Sequence, residues 1–328
     1  KHSDAGTQEY VDNIVKIPAI NYYDPEIWQK EVDLIFKRTP LVLGVSKEIP
    51  NPGDYKSIDV LGIPVLILRD SKGDLRAYLN ACRHRGAPLV ENGVGNKKRF
   101  SCPYHGWTYD EKGSLIGISS QQDFGDLDKS CNSLVSLPIL EKAGIIWVIL
   151  TADSKVDMEK FLFGYDGLLE MFNLSDWHVF DTRILKGPNW KVAYDGYLDL
   201  YHLPVLHSET FGKDFSNQAN PYEWGPHQRV SSPSMVISSS EGEDLIPDYN
   251  TINDWPLEHL MGGVWTIFPN VSIASFMGGG RSILLSQLMP GESPDESYTT
   301  QYYLMENKPT KKQEEEARKQ FDFLEYVV

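Results

Sequence analysis

Cys82 and His84 stand one residue apart, Cys102 and His105 two residues apart, and 17 residues separate the two pairs. Thiolate and imidazole are soft or borderline ligands, so this set favours zinc or iron-sulfur chemistry over magnesium or calcium. Structural zinc sites usually pair like ligands, as C-x(2-4)-C and H-x(3-5)-H, whereas here each pair mixes one Cys with one His. A centre with two irons, one held by two Cys and the other by two His, requires each loop to reach both metals. A mixed pair on each loop does that. Zinc, and a chance set of buried Cys and His, are the competing readings. Gly86, Pro103 and Gly106 flank the ligands, where a loop must turn tightly and bring backbone N–H groups close to the cluster sulfurs.

A second set lies about 100 residues later. Asp195, Asp199 and His202 follow one another at spacings of four and three, which places them on one face of a helix. His207 is five residues further on, a spacing that turns it about 140° off that face in an ideal helix. Pro204 removes a backbone donor and clashes with the carbonyl four residues back, so the spacing predicts a break or bulge between His202 and His207 that brings the second histidine round. Two half-buried histidines satisfied by hydrogen bonds are the competing reading.

Cys-x-His, 17 residues, then Cys-x-x-His is the Rieske pattern. The segments CRHRG and CPYHGW resemble the Rieske non-heme iron oxygenases, the large or alpha subunits of the aromatic ring-hydroxylating dioxygenase family. Respiratory Rieske proteins add a disulfide between the loops; Ala87 and Tyr104 stand at those positions here. The resemblance implies a 2Fe-2S cluster on Cys82, His84, Cys102 and His105. The later stretch is similar to the family's D-x-x-H-x(4)-H segment, which implies that His202 and His207 ligate a mononuclear Fe(II) and that Asp199 bridges towards the cluster. Two His and one carboxylate leave positions open for dioxygen and substrate. In the family the third ligand is an Asp of a C-terminal helix, and it is expected just beyond Val328. Asp322 and Glu325 are expected on the outer face of that helix. Asp195 tunes the surroundings of the iron or is a surface acid.

The elements that must position these residues follow from periodicity. Asp24-Pro25-Glu26 is a helix start, with Trp28, Val32 and Ile35 as one apolar stripe before Pro40. Strands are expected at 41–44, 64–70, 75–80 and 99–102, in a hairpin at 107–115, and at 145–150. After Thr151 the pattern gives a linker, a helical segment and a strand at 178–187. One helix over 189–212 carries the second set. Strands are then expected at 234–240, 264–276, 281–290 and 297–305, followed by a C-terminal helix with Phe321 and Leu324 on one side. The expected fold is α+β: a helical lead (1–40) packing on the catalytic domain, an all-β Rieske domain (41–152), and a mixed catalytic domain (153–328) whose antiparallel sheet wraps a helix in a helix-grip-like way.

The net charge of −15 argues against nucleic acid or an anionic membrane as partner. Three cysteines exclude a disulfide framework and fit a reducing, cytoplasmic compartment. No run approaches a membrane span, and KHSDAGTQEY lacks the apolar core of a signal peptide. The chain starts at Lys1, so further N-terminal sequence is expected. No G-x-G-x-x-G follows a strand, and GGGR at 278–281 lies between strands. No dinucleotide site is therefore expected within these residues, and the resemblance implies electrons from NAD(P)H through a separate ferredoxin or flavin reductase. The resemblance further implies a homotrimer, with His105 of one subunit against Asp199 of the next, and in some members a small beta subunit. The expected activity is O2-dependent hydroxylation of an aromatic or other hydrophobic small molecule, as in aromatic hydrocarbon catabolism. A monooxygenase or oxidative demethylase uses the same metals. A Rieske electron carrier would leave the second domain without a purpose.

Overall fold

The computed structural model describes residues 13–210, 219–231, 262–276 and 279–327. It forms two compact units, one of Val32–Phe161 and one of Lys1–Glu31 with Leu162–Val328. The class is α+β, and every strand pairing among the described residues is antiparallel.

The Val32–Phe161 unit holds three small sheets. Leu41–Val45 and Ile145–Val148 are buried along their whole length, as unbroken apolar runs require. The hairpin of Ile63–Arg69 and Leu75–Leu79 turns on Asp70, whose carboxylate accepts from the Lys72 and Asp74 amides and from Arg76. Asp54–Val60 is a central strand that the apolar pattern does not predict. Lys56 faces inward there, and its ammonium is satisfied by Glu48 (2.8 Å) and the Leu43 carbonyl (3.0 Å). A paired ammonium can occupy a core position that period-2 hydrophobicity would assign to an apolar residue. The third sheet joins Arg99–Ser101, Thr108–Asp110 and Leu115–Gly117. Ser101 pairs with Thr108, so residues 102–107 are the turn of a hairpin.

The other unit is built on a seven-stranded sheet in the order His178–Gly187, Ser297–Met305, Ser282–Pro290, Val271–Phe276, Val264–Ile267, His227–Ser231 and Asn220–Trp224. The expected strand at 264–276 is two strands, because Phe268–Asn270 with Pro269 turn the chain; proline cannot donate to a ladder. The two strands at 220–231 are polar and were not expected, and the expected strand at 234–240 lies outside the described residues. The C-terminal helix Lys311–Val327 buries Ala317, Phe321 and Leu324 against Leu284, Tyr303 and Met305, leaving Asp322 and Glu325 exposed. The Trp190–Leu198 helix lies against the strands Val264–Ile267, Ser282–Pro290 and Ser297–Met305.

Two helices depart from expectation. Asp24 caps as predicted, accepting from the Glu26 and Ile27 amides at 2.8 and 3.0 Å. The α-helix then ends at Glu31 and continues as a wide π-type turn, Val32–Phe36, with the Lys37 amide on the Val32 carbonyl. The extra residue in that turn makes Phe36 the buried position and leaves Ile35 half-buried. The helix expected over 189–212 stops at Leu198. Asp199 is extended (φ −86°, ψ 92°), a 3-10 turn spans Leu200–His202, and Pro204 sits in the first turn of a short helix, Leu203–Leu206. The break thus falls before His202, at Asp199, because proline is favoured at a helix start and needs no break after the histidine.

Candidate metal centres

The two Cys/His loops share one backbone frame. The Cys82 amide donates to the Ala87 carbonyl and the Gly86 amide to the Cys82 carbonyl, both at 2.8 Å; in the second loop the Cys102 amide donates to Trp107 and the Gly106 amide to Cys102, at 2.8 and 3.0 Å. Gly86 and Gly106 take the same position with φ of +75° and +69°, a conformation an L side chain resists. A Cβ at Gly106 would also press on Ser119. The histidines enter this frame one residue out of step, and their rings meet edge-on at 4.6 Å.

Cys82 and Cys102 are buried in the core of this unit with Trp107, Tyr109, Phe100 and Leu89. His84 is half-buried, stacked on Trp107 and edged by Phe124. His105 is exposed and stacked on Tyr104, one of the two residues at the positions of the respiratory proteins' disulfide; Ala87, the other, packs on the core. Burial pushes the Cys82 thiol up, against the Tyr109 hydroxyl, which lowers it. Burial and the neighbouring His105 hold His84 below its ordinary value, which favours the neutral imidazole. These residues suit a two-iron cluster. Buried adjacent thiols are costly as anions unless a cation shares them, and His84 Nδ1 is buried with no hydrogen-bond partner. Among the described residues no three His, Cys, Asp or Glu converge on one point.

In the other unit Asp199 ends one helix and starts the next turn. Its Oδ1 accepts from the Tyr201 amide at 2.8 Å, and its Oδ2 lies 3.8 Å from His202 Nδ1. One helical turn then brings His207 beside His202, with ring centroids 5.2 Å apart at 67°. Burial, and then His202, depress the His207 pKa, which favours the neutral form that a divalent metal binds. The adjacent His202 and His207 imidazoles are the donors that this unit offers to a mononuclear iron, and no group of three or more His, Cys, Asp or Glu able to hold a metal forms among the described residues.

Two tyrosines escaped the sequence reading. Tyr109 accepts from the Arg83 amide at 3.0 Å, which leaves its own proton for Cys82 Sγ at 3.4 Å. Its place in CPYHGWTY was the available signal, since strand alternation turns it inward with Trp107. Tyr22 donates to Asp195 at 2.9 Å across 173 residues, and nothing local marks it.

Two family models cover the chain in the same order as these sites. The Rieske [2Fe-2S] domain matches residues 39–135, and the catalytic domain of the ring hydroxylating alpha subunit matches residues 174–327. The anthranilate 1,2-dioxygenase large subunit of Acinetobacter baylyi is 30% identical over 204 residues, 60% of this chain and 43% of that protein. The glycine betaine monooxygenase oxygenase subunit of Chromohalobacter salexigens is 30% identical over 195 residues, 59% of this chain and 43% of that protein. The chain thus spans less than half the length of these two relatives. The structure of naphthalene 1,2-dioxygenase from Rhodococcus sp. superposes with a TM-score of 0.76 at 25% identity, covering 92% of this chain and 76% of that one. With a Rieske domain followed by a ring-hydroxylating catalytic domain, the chain belongs to the Rieske non-heme iron oxygenases as a large, or alpha, subunit.

Proposed function

We propose that the chain is the terminal oxygenase component of a multicomponent Rieske system that hydroxylates a small hydrophobic molecule with O2. Cys82, Cys102, His84 and His105 hold the 2Fe-2S cluster, and His202 and His207 hold the mononuclear iron. When bound, the cluster supplies single electrons and the Fe(II) supplies a site for dioxygen. The chain's own residues set the conditions for both. The paired glycine turns fix the loops, Trp107 and Phe124 shield His84 from water, and Asp199 orients His202 through the nitrogen beside it. The observation that carries this reading is the presence of two separate donor sets in one chain, of which an electron carrier would need only the first. A cytoplasmic homotrimer, fed by NAD(P)H through a ferredoxin or flavin reductase and with or without a beta subunit, completes the proposal. The two relatives, a dioxygenase and a monooxygenase, are equally similar in sequence; the match to the ring hydroxylating alpha subunit makes dihydroxylation the main reading, with monooxygenation or demethylation the second.

The test is metal content and oxygen uptake of full-length protein with a surrogate reductase. Three irons per chain and NADH-dependent oxygen consumption are expected. Two irons, both in the cluster, with no oxygen consumption would leave an electron carrier.

Tyr109 offers a finer check on the ligand assignment. A donor to a ligand sulfur stabilises the more negative, reduced cluster, and such hydrogen bonds tune iron-sulfur potentials. Tyr109→Phe is expected to lower the reduction potential by some tens of millivolts, on the scale of about 1 kcal/mol for one hydrogen bond. Protein-film voltammetry reads this directly, and an unchanged potential would remove Tyr109 from the cluster's surroundings.

A further inference from the structure

We infer that the N-terminal segment Ile20–Glu31 is a positioning strut for the helix that ends in Asp199, with Tyr22 its key residue. The inference rests on the proposed iron site at His202 and His207 and adds a determinant of that site's geometry from the other end of the sequence.

The segment grips the helix at both ends. Asn189, the N-cap, accepts from the Lys191 amide and donates to the Tyr22 carbonyl at 2.7 Å. Glu31 takes Trp190 Nε1 at 3.0 Å and Lys191 Nζ at 2.5 Å, with both charged side chains less than 20% exposed. Lys191 also donates to the Asn21 carbonyl and lies over the Tyr22 ring. One turn before the break, the Tyr22 hydroxyl donates to Asp195 Oδ2 at 2.9 Å, and the Asp195 carbonyl receives the Asp199 amide at 2.9 Å. The hydrogen bond to Asp195 raises the Tyr22 pKa, so Tyr22 stays a donor.

A nine-residue helix is too short to hold its own geometry in water. Its placement is set by what it leans on. Trp190 and Tyr194 are buried, while Val192, Asp195 and Gly196 are exposed. Tyr22 therefore reaches the exposed side, at the last residue pair before Asp199 leaves helical geometry. The Asp195 carbonyl holds the Asp199 amide and Asp199 caps the turn Leu200–His202, so a shift of the last helical turn carries the Asp199 carboxylate and, through that turn, the first imidazole.

The experiment uses full-length protein with Co(II) as a spectroscopic probe of the histidine pair. Tyr22→Phe and Asp195→Ala are each expected to weaken Co(II) binding about threefold to tenfold, the scale of one solvent-accessible, charge-assisted hydrogen bond. Both should shift the Co(II) visible bands and leave the cluster absorption unchanged. Asp195→Asn keeps an oxygen that accepts from Tyr22 and should restore wild-type binding and spectrum. The double variant should be no worse than either single one. Wild-type affinity and spectrum in Tyr22→Phe, or additive losses in the double variant, would overturn the strut. If wild-type protein bound Co(II) no better than His202→Ala does, the iron-site reading itself would fall, and the strut with it.

Discussion

Asp199→Ala is expected to leave the 2Fe-2S cluster and the mononuclear iron at wild-type content while substrate-dependent oxygen uptake falls by at least about 10- to 100-fold, the usual cost of losing a partner that orients a metal-bound histidine. The side chain is half exposed and its approach to His202 is 3.8 Å, so as an ion pair it adds little to stability. Its capping bond to the Tyr201 amide is worth about 1 kcal/mol, too little to unfold the unit. A large loss of turnover would therefore report the carboxylate's function at the metal, and not its part in the fold. Asp199→Asn separates the two further, because the amide oxygen still caps the turn but carries no charge. Iron loss in proportion to the loss of activity would show that Asp199 is needed to hold the metal, and full activity would show that it is a cap alone.

Cys102→Ala should have the larger structural effect. Cys102 lies in the core beside Cys82 and is 4% exposed, and a bound cluster adds its binding energy to the folded state only. The variant is expected to lose the cluster's visible absorption and paramagnetic signal entirely. The Val32–Phe161 unit should then unfold at lower denaturant concentration. Iron at the histidine pair, carried by the other unit, should remain at about one per chain. Simultaneous loss of all iron would mean that the two sets do not form separate centres.

How far the sequence carried these conclusions differs between the two sets. The loops were legible because their chemistry is local: glycine at two matching left-handed turns, Cys at the start of each and His within it, all inside a few residues. The frame they share is not visible in the letters, since the histidines enter it at different positions. The second set was legible in its residues but not in its backbone. Proline pointed to a break after His202, yet the chain breaks at Asp199, where an acid serves as C-cap and N-cap at once. Among strands, Asp54–Val60 was hidden by Lys56, whose core position makes sense only once Glu48 is seen beside it.

The sequence alone marked the candidate donor residues, their order along the chain and the strands with clean alternation, because spacing within one turn or one strand is fixed by local geometry. Tertiary structure decided which distant groups meet. Tyr22 finds Asp195 across 173 residues, Tyr109 finds the Cys82 sulfur, and a buried lysine finds its carboxylate. No local periodicity encodes such encounters, since each partner's own segment is satisfied equally well without the other until the chain folds.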